Sequence, residues 1–151
     1  MEYISTRNKN LSYNFKEIFL RGLAPDGGLF IPKKIKTYNE IEINKLSKLS
    51  YIDLATEIIS NFCSLEIDRN NLRNLIERSY KSFSTDQVIE VKKVGGINLV
   101  ELYHGPTLAF KDIAMQVLGN LYDEFKTSSN KKINIVVATS GDTGSAAIAA
   151  L

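Results

Sequence analysis

Apolar residues recur at helical spacing at Phe15, Ile18, Phe19 and Leu23, and the pattern stops in Gly22-Leu23-Ala24-Pro25-Asp26-Gly27-Gly28-Leu29-Phe30-Ile31-Pro32. This predicts a short helix followed by a tight turn. Ser50 is placed to cap a helix with Ile52, Ala55, Ile59 and Phe62 on one face, and Asp68 to cap another carrying Leu72, Leu75, Ile76 and Tyr80. Residues 1–83 therefore read as a small helical domain. Beyond it, residues 88–94 and 97–102 flank Gly95-Gly96, the pattern of a β-hairpin whose turn needs positive φ.

A broad stripe of Ile113, Val117, Leu118, Leu121, Tyr122 and Phe125 then predicts a helix buried on one side. Residues 127–132 are polar, and 133–138 are β-branched at four of six positions, as in a strand covered on both faces of a parallel sheet. Thr143 or Gly144 opens an alanine-rich helix that reaches Leu151. The expected class is α/β, with residues 84–151 the beginning of an α/β domain. Parallel sheets need several strands and bind ligands where the strand order reverses. With one such strand in view, the chain reads as the incomplete start of a larger protein.

Composition narrows the chemistry. Cys63 is the single cysteine and His104 the single histidine, which argues against a disulfide framework or a zinc site. The net charge is only +2 and the lysines are interspersed with Asp and Glu, which favours a solvated surface over a nucleic-acid face. No apolar run is long enough to cross a bilayer, and residues 1–10 lack the apolar core of a signal peptide. The expected location is the cytoplasm, with no membrane and no nucleic-acid partner.

Two segments carry candidate chemistry. The first, His104-Gly105-Pro106-Thr107-Leu108-Ala109-Phe110-Lys111-Asp112, sets a lysine among apolar neighbours. Holding a free lysine neutral at pH 7 costs roughly 4.6 kcal/mol, from a reference pKa near 10.4 at about 1.36 kcal/mol per unit. Apolar surroundings remove part of that cost and leave an amine able to attack a carbonyl. Lys111 is equally readable as a surface lysine at a helix start. Asp112 fits the first helical turn, where the macrodipole favours an acid. His104 has two readings, reaching a site or bonding the loop backbone.

The second segment, Ala138-Thr139-Ser140-Gly141-Asp142-Thr143-Gly144, joins the expected strand to a helix N-terminus. Exposed N–H groups and hydroxyls there suit a carboxylate or phosphate, while the plainer reading is a connection capped by Asp142 or Thr143. It lacks the Gly-Lys-Ser/Thr of a phosphate loop and the glycine before Ser140 that a nucleophile elbow needs. Kinase, NTPase and serine hydrolase chemistry are therefore unsupported.

Together these residues resemble the threonine synthase family, pyridoxal-phosphate enzymes of the fold group of tryptophan synthase β-chains and cysteine synthases (fold type II). The resemblance rests on Tyr3-Ile4-Ser5-Thr6-Arg7, on Gly22-Leu23-Ala24 with Asp26-Gly27-Gly28-Leu29 and Pro32, and on the two segments above. Asn8 stands where many relatives carry glycine.

The resemblance implies that Lys111 holds pyridoxal 5'-phosphate covalently and moves protons on the substrate, with Phe110 and Asp112 flanking it. Ser140, Gly141, Asp142 and Thr143 would contact the cofactor, and Thr139, Ser140, Thr143 and His104 the substrate. The implied reaction converts O-phospho-L-homoserine and water into L-threonine and phosphate. On that reading the 151 residues alone would not turn substrate over, and their uncovered apolar faces would favour self-association. A phospho-lyase that stops at elimination, and a non-catalytic folding or interaction module, stay open as alternatives.

Overall fold

Short polar caps start most of the helices. Asn14 opens α1 (Phe15–Arg21) and Asn39 opens α2 (Glu40–Leu46), each through a reciprocal pair with the glutamate three residues on. Ser50 opens α3 (Tyr51–Cys63) by accepting the Asp53 N–H at 3.1 Å. Asp68 opens α4 (Arg69–Ser79) by accepting the amides of Asn70 and Asn71. The computed structural model of the protein describes residues 1–126 and 134–151. It divides into the units Met1–Arg73 and Asn74–Leu151, the division falling within α4.

In the first unit, β1 (Tyr3–Ser5) and β2 (Phe30–Pro32) pair antiparallel with Tyr3 opposite Pro32. Ser5 Oγ donates to Asp26 Oδ1 at 2.8 Å, closing the turn before β2. The Gly28 N–H and then the Ser5 hydroxyl hold the Asp26 carboxyl below the usual carboxylate range. The buried Tyr3 ring lies 6.2 Å from Phe15, and its hydroxyl donates to the Phe62 carbonyl at 2.8 Å. Beside it, Cys63 is fully buried and its thiol is pushed up to about 11, chiefly by burial, so it is an inert packing residue.

The second unit is the one that positions the candidate chemistry. Its hairpin pairs β3 (Glu90–Val94) with β4 (Ile97–Glu101), and Gly95 turns at φ 60°. Val117, Leu121 and Phe125 of α5 (Asp112–Lys126) are buried, as the sequence stripe predicts, while Leu118 on the same stripe is exposed. Helix α6 (Asp142–Ala150) packs on α5 through small residues, Gly144, Ala146 and Ala147. Gly119 of α5 makes this approach possible, because a side chain there would run into the Ala150 carbonyl.

Two expectations are corrected. Residues 134–138 form no strand: no described strand pairs with them, and Val136 is 94% exposed. β-branched composition supplies strand propensity, but a ladder needs a partner. The rest of that expected strand, Ile133, and the polar connection 127–132 lie outside the described residues. Helix α6 opens at Asp142, not Thr143 or Gly144, and its cap is Gly141 at φ 146°, with no side-chain cap from Asp142 or Thr143. The Gly141 carbonyl instead receives the Ser145 amide at 2.9 Å and the Ser145 hydroxyl at 3.2 Å.

Candidate active site

Lys111 is the last residue before α5, and its carbonyl accepts the amides of Ala114 at 3.2 Å and Met115 at 2.9 Å. The first helical turn thereby fixes the direction in which its side chain leaves the backbone. The amine stands over the Phe110 ring, 4.5 Å from the centroid, a cation–π contact. Phe110, Lys111, Ile113, Ala114 and Met115 line an open, apolar hollow of about 310 Å³. The lysine is thus partly sheltered, with its amine on an aromatic face and an apolar surface beside it.

The loop leading to it is closed by its own residues. Asp112 is fully buried; its Oδ2 accepts the Thr107 N–H at 2.8 Å and its Oδ1 the Thr107 hydroxyl at 2.7 Å. Leu108, between them, takes φ 62°, a conformation unusual for a branched side chain, and donates its amide to the Gly105 carbonyl at 3.1 Å. Gly105 packs directly against Asp112, so closely that a Cβ there would collide with the Asp112 side chain.

At the loop's beginning, His104 Nε2 lies 3.2 Å from Glu101 Oε2 and Nδ1 lies 3.4 Å from the Ser84 hydroxyl. Lys92 donates to Glu101 at 2.8 Å, which holds the Glu101 carboxyl below its ordinary range. Glu90, Glu101 and His104 bring three ligand atoms within 4.8 Å of one another. Lys92 reaches both glutamates, 2.8 Å from Glu101 and 3.9 Å from Glu90, and already supplies the positive charge there.

The second segment is open by contrast. Thr139, Ser140, Gly141 and Asp142 are exposed and Thr143 is half-buried. The Thr139 hydroxyl accepts the Gly141 N–H at 3.2 Å, while the amides of Asp142 and Thr143 have no partner among the described residues. Donors at the start of a helix, left free and next to hydroxyls, suit a carboxylate or phosphate.

The structure therefore joins Lys111 to Phe110, Asp112 to Thr107 and Gly105, and His104 to Glu101 and Ser84. Among the described residues neither His104 nor the 139–143 loop bonds the Lys111 amine. Sequence reasoning missed Thr107 and Glu101. The signal for Thr107 was its place after Gly-Pro, five residues before an acid at a helix start; for Glu101 it was an acid three residues before the only histidine.

Comparison with known proteins gives these features a context. The family profile described as the threonine synthase N terminus matches residues 2–80. The chain is 43% identical over 150 residues to threonine synthase-like 2 of Xenopus laevis, covering 98% of this chain and 32% of that protein. It is 41% identical over 158 residues to threonine synthase of Schizosaccharomyces pombe, covering 98% and 31%. A crystal structure of PLP-bound threonine synthase from Brucella melitensis superimposes with a TM-score of 0.92 at 37% identity, covering 99% of this chain and 32% of that one. The chain spans about a third of the length of the curated relatives it matches. The α/β class expected from sequence is the class of this neighbour. A family match across more than half of the residues, carried on a backbone shared with a solved enzyme, makes this chain a member of the threonine synthase family.

Proposed function

We propose that the protein to which these residues belong converts O-phospho-L-homoserine and water into L-threonine and phosphate, with pyridoxal 5'-phosphate held on Lys111. The observation that carries this is the Lys111 site itself, an amine at a helix start on an aromatic ring beside an apolar hollow, in a chain of this family. These residues fit the aldehyde end of the cofactor: a primary amine for the covalent bond and an apolar wall for a flat ring. When bound, the cofactor supplies an electron sink for carbanion chemistry.

The chain's own residues divide the remaining work. Lys111 takes and returns protons at the substrate's α carbon once its amine is released. Thr139, Ser140 and Thr143 receive the substrate carboxylate through hydroxyl and N–H groups at the start of α6. Gly141 and Asp142 border the cofactor ring, as does Phe110, and His104 faces the substrate. This arrangement requires the N-termini of α5 and α6 to lie at one end of the helix pair. The family match ending at residue 80 supports a domain limit near residue 83, with 84–151 starting the cofactor domain, although compact packing divides the chain after Arg73.

A second reading rests on the 43% identity to a threonine synthase-like protein, close to the 41% shared with a threonine synthase. It is a phospho-lyase that releases phosphate without forming threonine. Incubating the full chain with pyridoxal phosphate, reducing with borohydride and mapping the labelled peptide tests the site. Label on Lys111 is expected, and label elsewhere or nowhere defeats the proposal. Phosphate release without threonine in the same preparation favours the lyase.

The cytoplasmic location remains part of this proposal; no described helix is long and apolar enough to cross a membrane. So does self-association of the isolated 151 residues, supported by the exposed Val91, Leu99, Val100 and Val136. Light scattering should find oligomers, and a clean monomer would count against them.

A further inference from the structure

We propose that Asp112 is a positioning residue, whose carboxylate clasps Thr107 so that the loop delivers Lys111 in one fixed orientation. This rests on the reading of Lys111 as the cofactor lysine and assigns Asp112 a task distinct from touching cofactor or substrate. Three observations converge. Both carboxylate oxygens are engaged by the same residue, one by the Thr107 N–H and one by its hydroxyl. The side chain has no exposure to solvent. Gly105 is bare where Asp112 backs onto it, so the loop is shaped around this carboxylate.

An acid in the first turn of a helix is ordinarily explained by the macrodipole, which needs only charge. Here the partner is five residues back in the chain, across a left-handed leucine. A leucine at positive φ is held only when its surroundings over-determine it. Two short hydrogen bonds to Thr107 on one side and the Leu108 amide on Gly105 provide that constraint. Lys111 lies between the strained residue and the clasp, so loosening Thr107 frees the backbone that aims its amine.

The charge and clasp accounts separate by substitution. Asp112→Asn removes the charge but keeps a carbonyl for the Thr107 N–H, and its amide can donate to the Thr107 hydroxyl. Asp112→Ala removes both bonds. Thr107→Val removes only the hydroxyl bond and serves as the milder variant should the alanine protein fail to fold.

The experiment measures acetylation of Lys111 by acetic anhydride across pH in the full chain without cofactor, read by peptide mass spectrometry. The protection of the loop amides against hydrogen exchange is followed alongside. Asp112→Ala should lower loop protection by about 10- to 100-fold and move the Lys111 acetylation profile. Thr107→Val should do the same to a smaller degree, the double variant should be no worse than Asp112→Ala, and Asp112→Asn should stay near the parent. Asn as impaired as Ala would overturn the clasp in favour of charge, and an unmoved Lys111 profile in both Ala and Val variants would overturn positioning. Because acetylation needs no cofactor, a parent protein that takes no pyridoxal phosphate on Lys111 defeats the functional reading while leaving the clasp separately decided.

Discussion

The loop from Gly105 to Asp112 and the loop from Thr139 to Thr143 both end at a helix start, yet they treat their polar groups in opposite ways. In the first, a buried carboxylate, a hydroxyl and an amide satisfy one another, and the lysine between them is left on an aromatic ring. In the second, the residues are mostly exposed, the helix has no side-chain cap, and donors at its start stay open. A closed loop holds a covalent group in place, whereas an open one keeps donors ready for a ligand that comes and goes. One of each in a single unit suits the proposed site, with its resident cofactor and exchanging substrate.

The largest effect should come from the closed loop's amine. Lys111→Ala in the full chain should abolish covalent labelling and lower threonine formation by about 10³-fold or more, measured by product assay. Retained activity would remove the basis for calling this loop the cofactor's anchor. Next comes the loop's internal fit. Gly105→Ala drives a methyl into Asp112 and should destabilise the protein by about 1–3 kcal/mol in urea unfolding. Gly96→Ala, where nothing lies within 4 Å, should stay within about 0.5 kcal/mol. Equal costs at the two glycines would show that the loop is not tightly closed.

Much of this contrast was readable in the residues, and the unreadable part has a physical reason. The caps at Ser50 and Asp68, the α5 stripe and the Gly95 turn follow from local rules that act within a few residues. Helix α2 was missed although Asn39 and Glu42 form its capping box, because Ile41 and Ile43 are exposed and leave no buried face to mark it. The β1–β2 pair was missed because three-residue strands are too short to display alternation. Residues 134–138 carried strong strand propensity without a described partner, and propensity alone does not make a ladder. Lys111 was legible from its neighbours, but the clasp beneath it was not. Asp112 at a helix start already had a sufficient local explanation, so nothing in the sequence demanded Thr107.

The open loop should respond in binding with folding unchanged. Ser140→Ala and Thr143→Ala each remove one hydroxyl from the proposed carboxylate cradle and should raise the KM for O-phospho-L-homoserine about tenfold, the scale of one hydrogen bond to a charged group. Unfolding midpoints should stay near the parent's, since Ser140 is exposed, Thr143 is only half-buried, and neither side chain caps α6. A stability loss as large as that of Gly105→Ala would erase the distinction between the loops.

Acid sharpens the same contrast by the smallest expected margin. The Lys92 hydrogen bond holds the Glu101 carboxyl below its ordinary value of 4.5, and Glu101 in turn anchors the His104 ring. A carboxyl with a depressed folded pKa stabilises the fold above its unfolded pKa, and that contribution disappears as pH falls through the folded value. Below pH 4.5, therefore, the closed loop should loosen first at His104, with lower amide protection relative to the intrinsic exchange rate near residue 104 and little change in protection at 139–143. Glu101→Gln should show the lower protection already at neutral pH and flatten the acid dependence. If the acid response survives that substitution unchanged, the His104 end is held by something other than Glu101, with Ser84, whose amide donates to the His104 carbonyl at 2.9 Å, the remaining anchor.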